Sequence, residues 1–310
     1  MLKLILSRVI QSLVTLFALV SVVFVLVRLK PGNPFQDEKA VPEHVLEVMK
    51  AKHGFDKSDF EQYLYYWSNV ITDFDLGPCI KIYQGYSVGE LIAQSFPYSF
   101  ALGVIALSYA LVLGIPLGVL AALKKNSWID YGSMLLVMLG ICVPVFVSGP
   151  LYQVFIASNV PFLKVAGYEG LGDMMIPALI LGSSGAAYVA RLTRGGMLEV
   201  LSQDYVRTAK AKGLPMFDII TRHCLRGALM PVVSFLGPAF AGITTGSFVV
   251  ESVFQIPGMG QHFVKAVTGN EIFIIQGLSL FYGVLIMGAN LASDLIQIWM
   301  NPQLRKDLGA

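Results

Sequence analysis

The sequence predicts an all-α integral membrane protein with six transmembrane helices, an expectation that rests on composition and on the spacing of apolar runs. Of its 310 residues, 55% are hydrophobic and only 14% are charged. The mean hydropathy of +0.67 argues against an ordinary soluble domain. Because a bilayer is crossed by helices of about 20 apolar residues, long charge-free runs mark the spans. Six such runs occur, at Val9–Val27, Tyr98–Leu123, Tyr131–Leu163, Met174–Ala190, Gly227–Val250 and Ile272–Ser293.

The first, third and fourth runs differ from a plain spanning helix. The first is longer than the apolar core of a signal peptide and lacks a small-residue cleavage site, so it predicts a membrane anchor. The third exceeds one span and contains Pro144 and Pro150, which predict one kinked helix followed by part of an external loop. The fourth is short and reaches spanning length by including Arg191.

The positions of lysine and arginine in the short loops predict the orientation. Basic residues concentrate in the loops that stay on the cytoplasmic side. This rule places both termini and the long segment 191–229 inside the cell. The basic residues assigned to the inside are Lys3, Arg8, Lys124, Lys125, Arg305 and Lys306, with a dense group between Arg191 and Arg226.

The external loop region, residues 30–97, contains an amphipathic segment. In the stretch DFEQYLYYWSNVITDF, apolar residues recur at helical spacing with polar residues between them. Its aromatic residues suit a helix lying at the membrane surface. Packing against the outer ends of neighbouring spans explains the pattern equally well, and a contact surface for an external partner is a third alternative. The apolar positions are Phe60, Tyr63, Leu64, Trp67, Val70, Ile71 and Phe74.

The inside segment 191–229 is basic and carries signals for helix starts and ends. Asp204 is placed to cap a short helix, Tyr205–Lys212, and Gly213 to end it. Pro215 suits the first turn of a second helix. Two short helices joined at a glycine bend would form a rigid projection that inserts into a groove on a soluble protein. The alternative is a positive-inside loop that only orients the chain.

The sequence contains no recognisable catalytic or metal-binding motif. It lacks a Gly-x-x-x-x-Gly-Lys-Ser/Thr phosphate-binding loop, so any ATP must be hydrolysed by another chain. The histidines have no metal-ligand spacing, and no two cysteines share a compartment, so neither a metal cluster nor a disulfide is expected. These residues are His44, His53, His223, His262, Cys79, Cys142 and Cys224. We expect no enzyme activity, no bound cofactor, no metal and no nucleic-acid partner.

Loop motifs in order along nearly the whole chain resemble those of one transporter family. The stretch DYVRTAKAKGLPMFDIITRHCLRGALMPVV resembles the cytoplasmic loop of the membrane subunits of binding-protein-dependent ABC importers, and more narrowly the first permease subunit of oligopeptide and dipeptide systems. Further matching segments are Arg28–Pro34, Ser95–Ser99, Ala121–Asp130, Val143–Phe146, Arg191–Arg194, Met197–Leu201, Glu251–Phe254, Pro257–Gly258 and Asn290–Asp294. The generic loop glutamate is absent, since Arg207-Thr208 stands there as in the peptide branch. Asn301-Pro302 replaces that branch's usual Asp-Pro.

This resemblance implies the type I permease fold of ABC importers over residues 1–310, with a coupling helix between the fourth and fifth spans. That helix would dock into a cytoplasmic ATPase and transmit its motion to the spans. The residues implied are Asp204, Tyr205, Arg207, Thr208, Ala209, Lys210, Ala211, Lys212, Gly213, Leu214 and Pro215. The implied partners in the bacterial inner membrane are a second homologous permease, two cytoplasmic ATPases that hold ATP and Mg²⁺, and an extracytoplasmic peptide-binding protein. The implied cargo is a short peptide, with nickel, glutathione and sugars as alternatives within the branch.

Small and polar residues within the spans are candidates for the translocation path. Glu251 and Asp294 lie near span ends, and this scarcity of intramembrane charge argues against a proton-coupled secondary transporter. Close packing of membrane helices explains the same small residues. The candidates are Ser183, Ser184, Gly185, Thr244, Thr245 and Ser247. An outer loop would face the receptor through Phe254, Gln255, Pro257, Gly258 and Gly260.

Two function classes compete with an importer subunit. An ion-driven secondary transporter would work without an ATPase, and a membrane-anchored scaffold would bind partners without moving solute. Transport in vesicles separates these classes, because only the importer requires both the ATPase and ATP. An exporter is disfavoured because the inner loop resembles that of importers.

Overall fold

Helices make up the regular structure of the computed structural model, which describes residues 2–30, 47–48, 51, 54–160 and 163–300. Within these residues, strand pairing is limited to one isolated bridge between Pro78 and Ser87. The helices are α1 (Leu2–Leu29), α2 (Asp59–Thr72), α3 (Val88–Leu123), α4 (Trp128–Cys142), α5 (Val145–Phe155), α6 (Met175–Leu201), α7 (Asp204–Ala211), α8 (Met216–Ala228), α9 (Met230–Gly246), α10 (Phe248–Phe254), α11 (Met259–Gly269) and α12 (Ile272–Met300).

Some predicted features fall outside the described part of the chain. They are the 31–34 end of the first loop motif, His44, His53, Asn301-Pro302, Arg305 and Lys306. Lys3 and Thr245 lie in helices, but their side chains are outside the described part of the structure.

Within the described part of the chain, four segments are long and apolar enough to cross a membrane, and two bent helix pairs raise the number to six if each pair is one span. The four are Leu6–Leu29, Val88–Leu123, Leu171–Leu201 and Ile272–Met300. The α4–α5 pair bends by 92° and the α8–α9 pair by 53°. The predicted all-α membrane class is therefore confirmed, and the number of six spans stays a prediction that holds if each bent pair is one span.

The bend between α4 and α5 is sharper than the predicted kink. Pro144 occupies the N-cap of α5, with φ −59° and ψ 138°, so the chain leaves the helical conformation there. Pro150 lies inside α5 without ending it. A proline at the N-cap starts a new helix in a new direction, which explains why the apolar run holds two helices.

Two of the observed helices extend beyond the apolar runs that predicted them. Helix α3 begins at Val88 rather than Tyr98, and α6 continues to Leu201 rather than ending at Ala190. Charged residues such as Glu90 and Arg191 ended the apolar runs in the sequence. A membrane helix can continue into water, where charged side chains cost little, so the apolar run marks only its central part.

The chain forms two compact units. The first unit comprises Met1–Arg8, Ser99–Ile256 and Ile286–Ala310. The second comprises Val9–Tyr98 and Pro257–Leu285.

In the first unit, α3 and α6 approach so closely that their backbones touch. A Cβ atom added at Gly182 would lie 2.4 Å from the carbonyl oxygen of Ala106, and one added at Gly118 would lie 2.5 Å from that of Ala190. Such distances leave no room for any side chain at these positions. The glycines therefore allow van der Waals contact between backbones, which is the main attraction between helices in lipid.

In the second unit, α2 packs against α1 with its inner face. The Tyr63 and Ser21 hydroxyls lie 2.6 Å apart, and the Trp67 ring stacks on Phe17 at 5.3 Å. Ser58 and Glu61 form a capping box that starts α2. Packing on a neighbouring span thus accounts for the inner residues of the amphipathic pattern. The outer residues Phe60, Leu64, Ile71 and Phe74 remain exposed.

Candidate functional site

After the end of α6 at Leu201, the segment 191–229 continues as two short helices joined at a bend, as predicted. Helix α7 spans Asp204–Ala211 and α8 begins at Met216. The predicted cap was wrong by one residue, because Gln203 holds the extended N-cap conformation and Asp204 is already helical. Asp204 instead lies in the first turn, where a carboxylate interacts favourably with the helix dipole.

Gly213 makes the bend through a left-handed backbone conformation. Its φ is +76°, a region that glycine enters at no steric cost. The Leu214 N–H donates to the carbonyl of Ala209 at 3.4 Å, and the Gly213 N–H to that of Lys210 at 3.0 Å. This pair of bonds is the Schellman arrangement that ends a helix. Pro215 then takes the N-cap of α8.

Helix α7 has one buried face and one exposed face. Val206 and Ala209 are buried in a cluster that includes Met197, Ile219 and Ala228. The other predicted coupling residues are exposed, namely Asp204, Tyr205, Arg207, Thr208, Lys210, Ala211, Lys212, Gly213, Leu214 and Pro215. The exposed face therefore combines basic groups with small and apolar side chains.

A glycine contact links α6 to the two short helices α7 and α8, which we call the projection (Asp204–Ala228). A Cβ atom added at Gly196 would lie 2.2 Å from the carbonyl oxygen of Ala228. The end of α6 and the end of α8 therefore touch backbone to backbone. Helix α7 also packs on Met197 of α6 through Val206 and Ala209.

An ion pair fixes the other side of α6. The Arg194 guanidinium donates to the two carboxylate oxygens of Asp130, Nε to Oδ1 at 2.7 Å and Nη2 to Oδ2 at 2.8 Å. Asp130 is 1% exposed and also accepts the backbone N–H of Asn126 at 3.0 Å. Ser127 caps α4 by accepting the N–H of Asp130. The start of α4 is thus held to α6 by a bidentate, charge-assisted contact.

Replacing Asp130 by asparagine is expected to lower the free energy of unfolding by about 2–3 kcal/mol, because the guanidinium of Arg194 loses its buried counter-charge. Asp204→Asn is the matched control, since the Asp204–Arg207 pair is exposed, with side-chain exposures of 97% and 74%. Its effect should stay within about 0.5 kcal/mol. Thermal unfolding in detergent checks both variants, and equal shifts would contradict the role of the Asp130 pair.

The residues predicted for the translocation path fall into two groups in the first unit. Thr244 and Ser247 are fully buried; the Thr244 hydroxyl donates to the carbonyl of Phe240 at 2.9 Å. Ser183 and Ser184 are half-buried on α6 and donate to carbonyls of their own helix. A Cβ at Gly185 would contact Ala110 at 3.2 Å. These contacts are those of helix packing, and a role in the path stays a prediction.

Buried carboxylates are the feature that the sequence did not reveal. Glu251 is fully buried and accepts hydrogen bonds from the hydroxyls of Ser247 at 2.6 Å and Ser99 at 2.8 Å. Glu271 is 1% exposed and accepts backbone N–H groups of Ile80 at 3.2 Å and Ile82 at 2.6 Å. A serine one helical turn before Glu251 was the only local signal for either site.

Glu271 also affects a nearby thiol. Burial, together with the carboxylates of Glu271 and Glu90, raises the pKa of Cys79 to about 12. The thiol therefore stays protonated and unreactive at neutral pH. Cys79, Cys142 and Cys224 are all free thiols in this structure.

The residues predicted to face a receptor differ in their exposure. Gln255 is exposed, with a left-handed φ of 54°, and Pro257 is exposed as well. Phe254 is buried and packs near the ring of Tyr152 at 5.9 Å. Gly258 and Gly260 are buried at the start of α11. Only Gln255 and Pro257 among these five present their side chains to the surface.

His262 on α11 lies in a protected environment in the second unit. Its Nδ1 lies 2.7 Å from the Tyr83 hydroxyl, and the two rings meet edge to face at 4.9 Å. Burial, with a smaller contribution from Lys265, lowers the pKa of His262 to about 4. The folded protein therefore holds this imidazole neutral.

Lowering the pH from 6.5 towards 4 is expected to destabilise the folded chain through His262. The unfolded chain takes up a proton at His262 near its ordinary pKa of 6.5, while the folded chain does so only near 4. The stabilisation is present above pH 6.5 and is lost through this window. His262→Gln should show a smaller fall of Tm over the same range, and an unchanged fall would rule out His262 as the source.

The comparisons with known proteins cover both ends of the chain. Residues 114–306 match the family described as binding-protein-dependent transport system inner membrane component. Residues 1–103 match the corresponding family of N-terminal regions. The match thus extends over both compact units.

Curated relatives match over almost their full length. The chain is 42% identical to the oligopeptide transport system permease protein OppB of Haemophilus influenzae over 308 residues, 98% of this chain and 100% of the relative. It is 40% identical to the dipeptide transport system permease protein DppB of Bacillus subtilis, covering 94% of each. Among solved structures, the inward-facing MetNI methionine ABC transporter matches with a TM-score of 0.58 and 17% identity, over 69% of this chain and 97% of that one. This last likeness concerns the fold alone.

Proposed function

The chain belongs to the family of binding-protein-dependent transport system inner membrane components, and on this premise we propose that it is the membrane-spanning subunit of an ATP-driven importer of short peptides. The observation that carries the proposal is the full-length likeness to oligopeptide and dipeptide permeases, at 42% and 40% identity. In this role the chain forms part of the path through the membrane. Its function is transport, and we assign ATP hydrolysis, with ATP and Mg²⁺, to partner subunits.

We assign the ATPase contact to α7 and its bend, Asp204–Pro215. The exposed face of this projection supports the assignment, because basic groups beside small side chains suit close docking into a groove. The buried side of the projection supports the assignment further, because it packs directly on Gly196 and Met197 of the spanning helix α6. Closure of the ATPases would then move α6 as part of a two-state switch.

The proposed assembly is built around two permease subunits in an inner membrane. This subunit would pair with a second homologous permease, two ATPases would bind on the cytoplasmic side, and a peptide-binding protein would deliver cargo outside. We place both termini in the cytoplasm, on the strength of the basic residues around α1, α7 and the 300–310 end.

Co-purification followed by transport tests the proposal. Mass spectrometry of the tagged chain, isolated in mild detergent from its native membrane, should identify a second permease and one or two ATPases. Vesicles containing all partners should then accumulate a labelled peptide only with ATP and the binding protein.

Two results would contradict the proposal. Peptide accumulation driven by an ion gradient in vesicles that lack the ATPases would indicate a secondary transporter. Failure of accumulation with every partner present and intact, as judged by ATP hydrolysis, would indicate a scaffold.

A further inference from the structure

Helices α8 and α9 of the first unit are separated by a bend. Their axes meet at 53°, and Leu229 lies between them with φ −87° and ψ −3°. Pro231 follows in the first turn of α9. Proline has no N–H to donate to the preceding turn and its ring displaces that turn, which accounts for the bend. If α8 and α9 were joined only at this point, a displacement of the projection would change the angle between them.

Arg226, which lies on α8 before the bend, contacts the last turn of α12. Its Nε donates to the carbonyl of Met300 at 3.0 Å, and its Nη2 donates to that of Trp299 at 3.5 Å. The last carbonyls of a helix lack partners within the helix and carry the negative end of its dipole. A guanidinium has several donors in a fixed plane and can satisfy two such carbonyls at once. Arg226 therefore ties α8 to the end of α12.

On the other side of the bend, α9 is also attached to α12. The buried hydroxyl of Ser293 donates to the carbonyl of Val233 at 2.7 Å. A Cβ atom added at Gly237 would lie 2.8 Å from the carbonyl oxygen of Ala289. Helices in lipid attract each other through such close contacts at small residues. Helix α9 is thus held against α12 by both a hydrogen bond and backbone packing.

Together these contacts make α12 a bracket across the bend, defined by Arg226, Val233, Ser293 and Met300. Arg226 precedes the bend and Val233 follows it, while their partners occur in the opposite order on α12. Helix α12 therefore runs antiparallel beside both α8 and α9. A change in the bend angle would have to break the attachment on one side.

We propose that Arg226 is a positioning residue for coupling, which fixes the angle between α8 and α9 by tying α8 to α12. A displacement of the projection then moves α9 and α12 together and is not absorbed at Leu229. The inference rests on the proposed function for the source of this displacement. It adds α12 to the helices that the projection drives.

Arg226→Gln in the complete importer tests the consequence for transport. Peptide uptake and ATP hydrolysis are measured in the same vesicles, which contain all partners, and the readout is uptake per ATP hydrolysed. We expect ATP hydrolysis to persist while this ratio falls about fivefold, the factor expected when hydrogen bonds from a charged donor are lost. Arg226→Lys keeps a cation that can donate to the same carbonyls, so it should restore most of the ratio.

Arg222→Gln is the matched control. Arg222 lies one turn earlier on α8, is 76% exposed and pairs with Asp218 of the same helix at 3.4 Å. The variant removes the same charge from the same helix but leaves the contact between Arg226 and α12 intact. Its uptake per ATP should equal that of the unmodified complex.

A distance measurement across the bend tests the bracket without transport. Spin-labelled cysteines replace Phe217 on α8 and Gly242 on α9, which are both exposed, and a Cβ added at Gly242 meets no atom within 4 Å. The exposed free thiol of Cys142 is first removed by Cys142→Ser. The distance between the labels should be the same in the nucleotide-free and vanadate-trapped complexes. Arg226→Gln should shift it between the two states or broaden its distribution.

Three outcomes would overturn the inference. The first is an unchanged uptake per ATP in Arg226→Gln. The second is loss of the ATPases from the purified Arg226→Gln complex, since Arg226 would then be a contact of the ATPase. The third is a distance between the labels that Arg226→Gln leaves unchanged. An unmodified complex that hydrolyses ATP without accumulating peptide would contradict the proposed function instead, and the distance measurement would still decide on the bracket.

Discussion

Replacing Gly213 by valine is expected to reduce ATP-driven uptake at least tenfold while the chain remains inserted in the membrane. The φ of +76° is unfavourable for a β-branched residue by about 2 kcal/mol, so the bend after α7 would unwind. No atom lies within 4 Å of a Cβ added at Gly213, so the effect arises from backbone conformation and not from a clash. Uptake in membrane vesicles, normalised to the amount of inserted chain, measures it.

Gly213→Asn separates backbone strain from loss of the glycine itself. Asparagine tolerates the left-handed conformation, so this variant should keep most of the uptake. Equal activity of the valine and asparagine variants at the wild-type level would contradict a coupling role for the bend. Equal loss in both would point to a need for bare backbone at the docking surface.

Replacing Gly196 by alanine is the second change with a large expected effect. Its methyl group would lie 2.2 Å from the Ala228 carbonyl oxygen, so α6 and α8 must separate. Overpacking of this kind costs about 1–3 kcal/mol. We expect a lower Tm in detergent and a loss of uptake, because the projection would no longer sit firmly on α6.

Gly195→Ala is the natural control for Gly196→Ala. The two glycines are adjacent, but Gly195 is exposed and a Cβ added there meets no atom within 4 Å. Alanine is favoured over glycine in a helix by about 1 kcal/mol, so Gly195→Ala should raise the Tm slightly. The same sign of change in both variants would contradict the contact between Gly196 and Ala228.

The parts of the fold that local signals determine were predicted well. The helix before Gly213 was placed within one residue at each end, because a glycine and a proline mark the bend directly. The spans were found because burial in lipid requires long apolar runs. Their ends were missed at Val88 and Leu201, since a helix that leaves the membrane carries charged residues and no longer differs from a loop in hydropathy.

The buried charges of the site could not be predicted, because their partners are distant in sequence. Asp130 meets Arg194 across 64 positions, and Glu251 meets Ser99 across 152. A single sequence gives no information on which distant residues pair. The same reason applies to Gly196, whose contact with Ala228 depends on how two helices cross.

Helix α8 contains an irregular turn that could lose one residue. Residues Ile219–Cys224 form a π-helical turn, in which the N–H of Leu225 donates to the carbonyl of Ile220 five positions earlier. Such a turn contains one residue more than an α-helical turn. Deleting a single residue within 219–224 would therefore convert it to an ordinary turn while the flanking residues keep their angular positions. Helix α8 thus contains one extra residue between the bend at Gly213 and its end at Ala228, and loss of that residue would leave the residues on both sides of the turn in the same orientation about the helix axis.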